Sequence, residues 1–143
     1  GGLDALADWF CEKDDEGVTR WRKSAGIVIS GAAGAGVLKS MLLKRRVPER
    51  RVRVANTPQY LQSCVMFDDA VAQKTVTHLA SEGQAALDAS VGLIDKDKRG
   101  GWTAHGDGDE TPVEAVSLAL WGARTGKRKS TDRPEGKRKA VIV

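Results

Sequence analysis

The chain has 143 residues, 41% of them apolar, and its 23 lysines and arginines outnumber its 19 aspartates and glutamates for a net charge of +4. That length supports one domain with a real core and a substantial exposed surface. Two cysteines in no metal-ligand spacing exclude a disulfide-stapled scaffold and a zinc module, so a reducing cytoplasm is the expected setting.

Charge is unevenly placed. Arg124, Lys127, Arg128, Lys129, Arg133, Lys137, Arg138 and Lys139 crowd the carboxyl end against Asp132 and Glu135. This predicts a disordered basic tail over 126–143, of the kind that touches nucleic acid, after a folded domain over 1–125. The start is acidic and lacks the basic n-region of a signal peptide.

Periodicity predicts a first helix over 3–13, with Leu3, Leu6, Trp9 and Phe10 toward the core. A basic connector with Trp21 leads to Gly26-Ile27-Val28-Ile29-Ser30, whose β-branched run reads as a buried strand. The small residues of 31–36 turn the chain into a helix through Leu38, Met41 and Leu42, which stops before Pro48. Charge and valine alternate over 51–55, the pattern of a second strand, half exposed or at an edge. Thr57-Pro58 reads as the cap and first turn of a helix with Tyr60, Cys64, Phe67 and Val71 down one face. A short extended piece over 76–79 around His78, a break at Gly83 and a small helix over 84–91 come next. A hairpin then turns at Lys98-Arg99-Gly100-Gly101. The strand–helix–strand–helix rhythm predicts an α/β fold with two parallel neighbours.

The last helix opens at Asp109-Glu110-Thr111-Pro112-Val113-Glu114, with Thr111 as N-cap, Pro112 as first helical residue and Glu114 as the far corner of a capping box. Val113, Val116 and Leu120 form an apolar stripe. Glu110, Glu114 and Ser117 fall on another face, next to Asp107 and Asp109 in the preceding loop. Carboxylates one turn apart suit a divalent ion. They also suit a helix start with no metal, because the dipole favours acids in any first turn.

Gly31 to Ser40 reads G-A-A-G-A-G-V-L-K-S, a phosphate-binding P-loop but for Val37 and Leu38. Those two residues turn the lysine roughly 200° about the helix, away from a phosphate. Val65-Met66-Phe67-Asp68-Asp69 resembles the acidic strand of such proteins, yet its surrounding spacing is helical. Residues 24–43 carry a single charge and match a bilayer in length, but their glycines, serines and Lys39 fit a strand–turn–helix unit better. Of the two histidines only His105 lies near acids, Asp107 and Asp109.

An ordered set of pieces resembles the carboxy-terminal part of the large terminase subunit of tailed phages, especially those of actinobacterial hosts. The pieces are Val52-Arg53-Val54-Ala55-Asn56-Thr57, the helix from Gln59 through Val71, Thr77-His78-Leu79, Gln84-Ala85-Ala86-Leu87-Asp88-Ala89-Ser90-Val91, Lys98-Arg99-Gly100-Gly101-Trp102 and Thr111 to Ala123. Together they cover over half of the chain. The resemblance implies a ribonuclease-H-like sheet with flanking helices, here a partial domain, that cuts concatemeric double-stranded DNA with two Mg²⁺ or Mn²⁺ ions. It implies catalytic and metal-holding roles for Glu114, Glu110 and Asp109. DNA-backbone contacts are expected from Lys98, Arg99, Arg124, Lys127, Arg128 and Lys129. The implied partners are a terminase ATPase half, a small terminase subunit and a portal, with no membrane, in the host cytoplasm. The chain departs from the family pattern: the ATPase region and the opening strand with its acid are not in it, and Ser30 stands where the second acid is expected. Two other readings stay open: a non-enzymatic basic nucleic-acid-binding or virion-assembly protein, and a degenerate P-loop phosphate binder.

Overall fold

The computed structural model describes residues 2–77 and 84–126. His78, Leu79 and Gly83 of the expected extended piece and break, and Lys127, Arg128, Lys129 and the rest of the basic tail, lie outside the described residues.

The organising unit is a strand–helix–strand. β1 (Ile27–Ser30) and β2 (Val52–Ala55) pair in parallel, Ile27 beside Val52 and Ser30 beside Ala55. The crossover between them is α3 (Ala35–Lys44). Parallel strands bury both faces, and the period-two alternation of side chains divides the core accordingly. On one face Ile27 and Val52 join Ala7, Leu38, Leu42 and Val47, with Ile29 packed against them. On the other, Ala55 joins Leu118 and Trp121, with Val28 and Tyr60 packed against them.

The turn after β1 works by close approach. A Cβ on Gly31 would lie 2.5 Å from the Ala55 carbonyl oxygen. Gly34, at φ 94°, caps the start of α3 in the left-handed region, where a side chain is strained.

The amino-terminal helix α1 (Leu3–Cys11) packs on α3 by a different face from the one expected. Ala7 is fully buried, and Phe10 and Cys11 pack beside it, while Leu3, Leu6 and Trp9 are exposed. A small residue at the contact lets the two helices close together. Trp9 instead carries the Arg20 guanidinium 4.7 Å from its ring. Arg20 belongs to α2 (Arg20–Lys23), one turn of helix inside the expected connector.

A 3₁₀ turn (Glu49–Arg51) feeds β2, and α4 (Thr57–Ala72) follows. Its cap is Asn56 rather than Thr57: Asn56 Oδ1 accepts from the Gln59 amide at 2.9 Å, and Gln59 Oε1 accepts from the Asn56 amide at 3.0 Å. Cys64 and Phe67 are buried as expected, but Val71 is half exposed. α5 (Ala85–Gly92) leads to the hairpin of β3 (Ile94–Lys96) and β4 (Trp102–Ala104), turning where the sequence places it. The hairpin, α4, α5 and α6 (Thr111–Thr125) enclose a third cluster of Phe67, Leu87 and Val113. The fold is thus α/β in the expected order. The apolar stretch at 24–43 is β1, its turn and α3, and among the described residues no helix is long and apolar enough to cross a membrane.

Gly31→Ala should destabilise the fold by about 1–3 kcal/mol, because backbone must shift to admit the methyl group. Gly36→Ala, inside α3 with open space around it, should hold or raise stability by about 0.4–1 kcal/mol. Urea unfolding of the two variants checks this, and equal midpoints would disprove the close-approach account.

Candidate functional site

α6 lies along α4 and over β1. Its direction follows from its contacts. Thr125 meets Arg53 in β2, Leu118 and Trp121 cluster with Ala55 at the end of β2, and Glu114 meets Tyr60 in the first turn of α4. The helix therefore runs opposite to the strands. Its acidic amino end lies beyond their carboxyl ends, and its carboxyl end lies by their amino ends.

At the acidic end the three expected site residues have separate tasks. The Tyr60 hydroxyl donates to Glu114 Oε1 at 2.5 Å and accepts from the Trp102 amide at 3.3 Å. Burial, and next the bond to Glu114, push the Tyr60 phenol far above its ordinary value. Beneath it the Cys64 thiol is also raised by burial. Asp109 Oδ1 accepts from the Thr111 amide at 2.9 Å, and the bonds from Thr111 hold its carboxyl below the usual range. Glu110 is the N-cap, its carbonyl accepting from the Glu114 amide at 2.9 Å.

The expected capping box from Thr111 to Glu114 does not form. Thr111 is already in the first turn, and Glu114 turns outward to the phenol. Ser117, expected on the acidic face, is fully buried: it donates to the Val113 carbonyl at 2.7 Å and accepts from Trp102 Nε1 at 2.9 Å. Trp102 and Trp121 are packing anchors, Trp102 edge-on to Phe67 and Trp121 3% exposed with its Nε1 on Gln62.

Among the described residues no group of three or more His, Cys, Asp or Glu side chains is placed to hold a metal ion. Mg²⁺ and Mn²⁺ take several oxygen ligands, and here Glu114 is engaged by a phenol and Asp109 by an amide. Among the described residues these carboxylates alone are too few to hold two metal ions. His105 faces Asp95 across 3.5 Å on the hairpin rather than Asp107 or Asp109. Lys39 pairs with Glu49 at 3.2 Å, so the lysine of the P-loop-like stretch is turned away from its glycines.

The basic candidates also separate. Lys98 and Arg99 sit exposed in the hairpin turn, where Asp97 takes the Arg99 side chain at 3.2 Å and its amide at 2.8 Å. Those amide bonds, from Arg99 first, hold the Asp97 carboxyl low. Arg124 is at the other end of the molecule, its Nη2 3.4 Å from Thr75 Oγ1.

There a cleft of about 580 Å³ opens between the amino ends of the strands and the small-residue face of α6. Arg50, Arg51 and Arg53 line it, with no aspartate or glutamate among the described residues of the lining. The sequence reading missed Arg53. Its only signal was the alternation of β2, which puts Arg53 on the same face as Ala55.

No protein-family model matches the chain, and neither a curated protein nor a solved structure is significantly similar to it.

Tyr60→Phe removes the donor to Glu114 and should cost about 1–2 kcal/mol. The sign of its pH effect follows from the raised phenol. The unfolded chain ionises Tyr60 near its ordinary value of 10.0 and the folded chain does not, so stability is lost as pH rises above that value. Thermal unfolding from pH 8 to 11 should show this loss in the native chain and a flatter profile in Tyr60→Phe. Asp97 and Asp109 have lowered values, so they contribute stability above 3.8 that disappears as pH falls through the acid range. Asp97→Asn should therefore flatten the acid limb of the same profile.

Proposed function

We propose that this chain is a carboxy-terminal portion of the ribonuclease-H-like nuclease domain of a tailed-phage large terminase subunit, and that its own contribution is to bind double-stranded DNA and to supply last-helix acids. The observation that carries the reading is the course of α6. It crosses a parallel strand pair in the opposite sense and carries Asp109, Glu110 and Glu114 to the carboxyl side of the strands, the side where ligands gather in open α/β sheets. The ordered resemblance from Val52 to Lys127 supports the same assignment.

In this reading Asp109 is the acid best placed to turn to an ion. It is exposed, already ionised at neutral pH and held by a single residue, Thr111. The remaining carboxylates of a two-ion site come from outside these 143 residues, since Ser30 ends β1 without one. The setting is the host cytoplasm, with the ATPase half, small subunit and portal as partners. A non-enzymatic DNA-binding role is the second reading, and the bond from Tyr60 to Glu114 favours it, because it commits that acid to the fold.

Duplex binding by the chain should weaken roughly a hundredfold between 50 and 200 mM salt, for about four neutralised phosphates, and should not respond to EDTA. Salt-independent affinity, or no binding at all, refutes the DNA assignment. With Mn²⁺ the chain alone should leave supercoiled plasmid intact. Nicking that Asp109→Asn abolishes would show a self-sufficient nuclease, and overturn the view that further acids are needed.

A further inference from the structure

The geometry points to the outer face of α1 as the seam of a homodimer, packed antiparallel against the same helix of a second copy. The proposal is independent of what the chain binds and of the cleft beside β1.

α1 is apolar on two sides. Asp4 and Asp8 are the only charged side chains among its nine residues, and both meet Arg45 at the end of α3, at 3.1 and 2.8 Å. Ala7 fills the contact with the core beneath. At 3.6 residues per turn, Leu3, Leu6 and Trp9 fall within about 120° of one another, away from those acids. Each keeps over a third of its surface exposed. A helix that carries apolar side chains toward the core and also away from it is one that a neighbour covers.

The patch extends past the helix. Gly34, where α3 starts, lies beside Leu3: a Cβ there would stand 3.5 Å from Leu3 Cδ1. Val37, one turn further along α3, is half exposed. Together these four side chains present roughly 300 Å² of apolar surface, at the lower edge of the patches that mark interaction sites.

The spacing is self-complementary. Leu3 and Trp9 stand three residues either side of Leu6. A two-fold axis through Leu6 sets it against its own copy and each Leu3 against the partner's Trp9. A smaller side chain then faces a larger one twice over, as an isologous contact requires.

Charge fits the same arrangement. The amino end of α1 carries Asp4, whose side chain is 73% exposed although it is bonded to Arg45. At the carboxyl end lies the Arg20 guanidinium, 4.7 Å from the Trp9 ring, bonded to Glu12 and 47% exposed. Lys13 is exposed beside it. An antiparallel pair brings each of these cations toward the partner's Asp4 and opposes the two helix dipoles favourably. A parallel pair would set like charges side by side.

The patch is smaller than the ~800 Å² per partner of a standard interface, so the dimer should be weak, with a dissociation constant of roughly 10–100 μM. The test is sedimentation equilibrium of the full chain from about 5 to 500 μM, a range that spans that constant. The average mass should rise from one protomer toward two. Leu6→Gln acts twice, once in each copy at the axis, and should weaken the dimer about tenfold or more. Trp9→Gln should do the same. Val65→Gln, on an equally exposed valine of α4, should leave the dimer as it was. Circular dichroism of each variant monitors the fold.

A chain that keeps the mass of one protomer throughout overturns the proposal, whatever else covers the face, and leaves the packaging reading untouched. A dimer that survives both glutamine variants undiminished overturns it too, because its seam is then elsewhere. Should Trp9→Gln lose its helical signal, Leu6→Gln decides alone.

Discussion

The height of α6 above the sheet is set by one contact. A Cβ on Gly122 would lie 2.5 Å from Val28 Cγ2, so the helix meets β1 at a distance only glycine permits. From that contact the neighbouring turns take their places. Trp121 and Leu118 drop into the space beside Ala55, Thr125 comes within reach of Arg53, and Glu114 comes within reach of Tyr60. A larger residue there requires Val28 or the helix to shift, and a lifted helix would loosen all three together.

The result is a molecule with two chemically distinct ends. The amino end of α6 gathers acids and the carboxyl end gathers arginines, as the helix dipole favours at each. The acids are then divided among local tasks: Asp109 on the Thr111 amide, Glu110 as the cap and Glu114 on a phenol. The arginines are grouped instead. Arg51 is buried, its Nη1 donating to the Ser24 carbonyl at 2.6 Å, and Arg53 is stacked on Trp121. Among the described residues, division of the acids marks one end and grouping of the arginines the other.

The exposed face of α1 marks a second asymmetry. Leu3, Leu6 and Trp9 are 37%, 40% and 47% exposed, yet their spacing is that of a buried stripe. Ala7 instead is the residue of this helix fully buried in the cluster with Leu38 and Leu42 of α3. Trp9 is partly covered by Arg20 and by the edge of Phe10 at 5.1 Å. Apolar periodicity identifies a helix reliably but leaves the choice of face open when small and large residues compete for it.

Local chemistry was enough to place the elements. The β-branched run at Ile27–Ser30, the alternation at Val52–Ala55, the glycine turn between 31 and 36 and the hairpin glycines each act within a few residues, and each appears where its composition puts it. Caps shifted by one position: from Thr57 to Asn56, whose side chain closes a capping box with Gln59, and from Thr111 to Glu110, which caps the helix without a side-chain bond. The partners of the site residues were not legible in the linear order. Tyr60 and Glu114 are 54 residues apart, and Arg53 and Thr125 are 72 apart. Such pairs exist only once a helix has settled on a strand through a glycine. Residue types and short-range periodicity carry the fold class and the basic and acidic character of this chain, whereas the division of its acids and the grouping of its arginines arise from long-range packing, which no local pattern encodes.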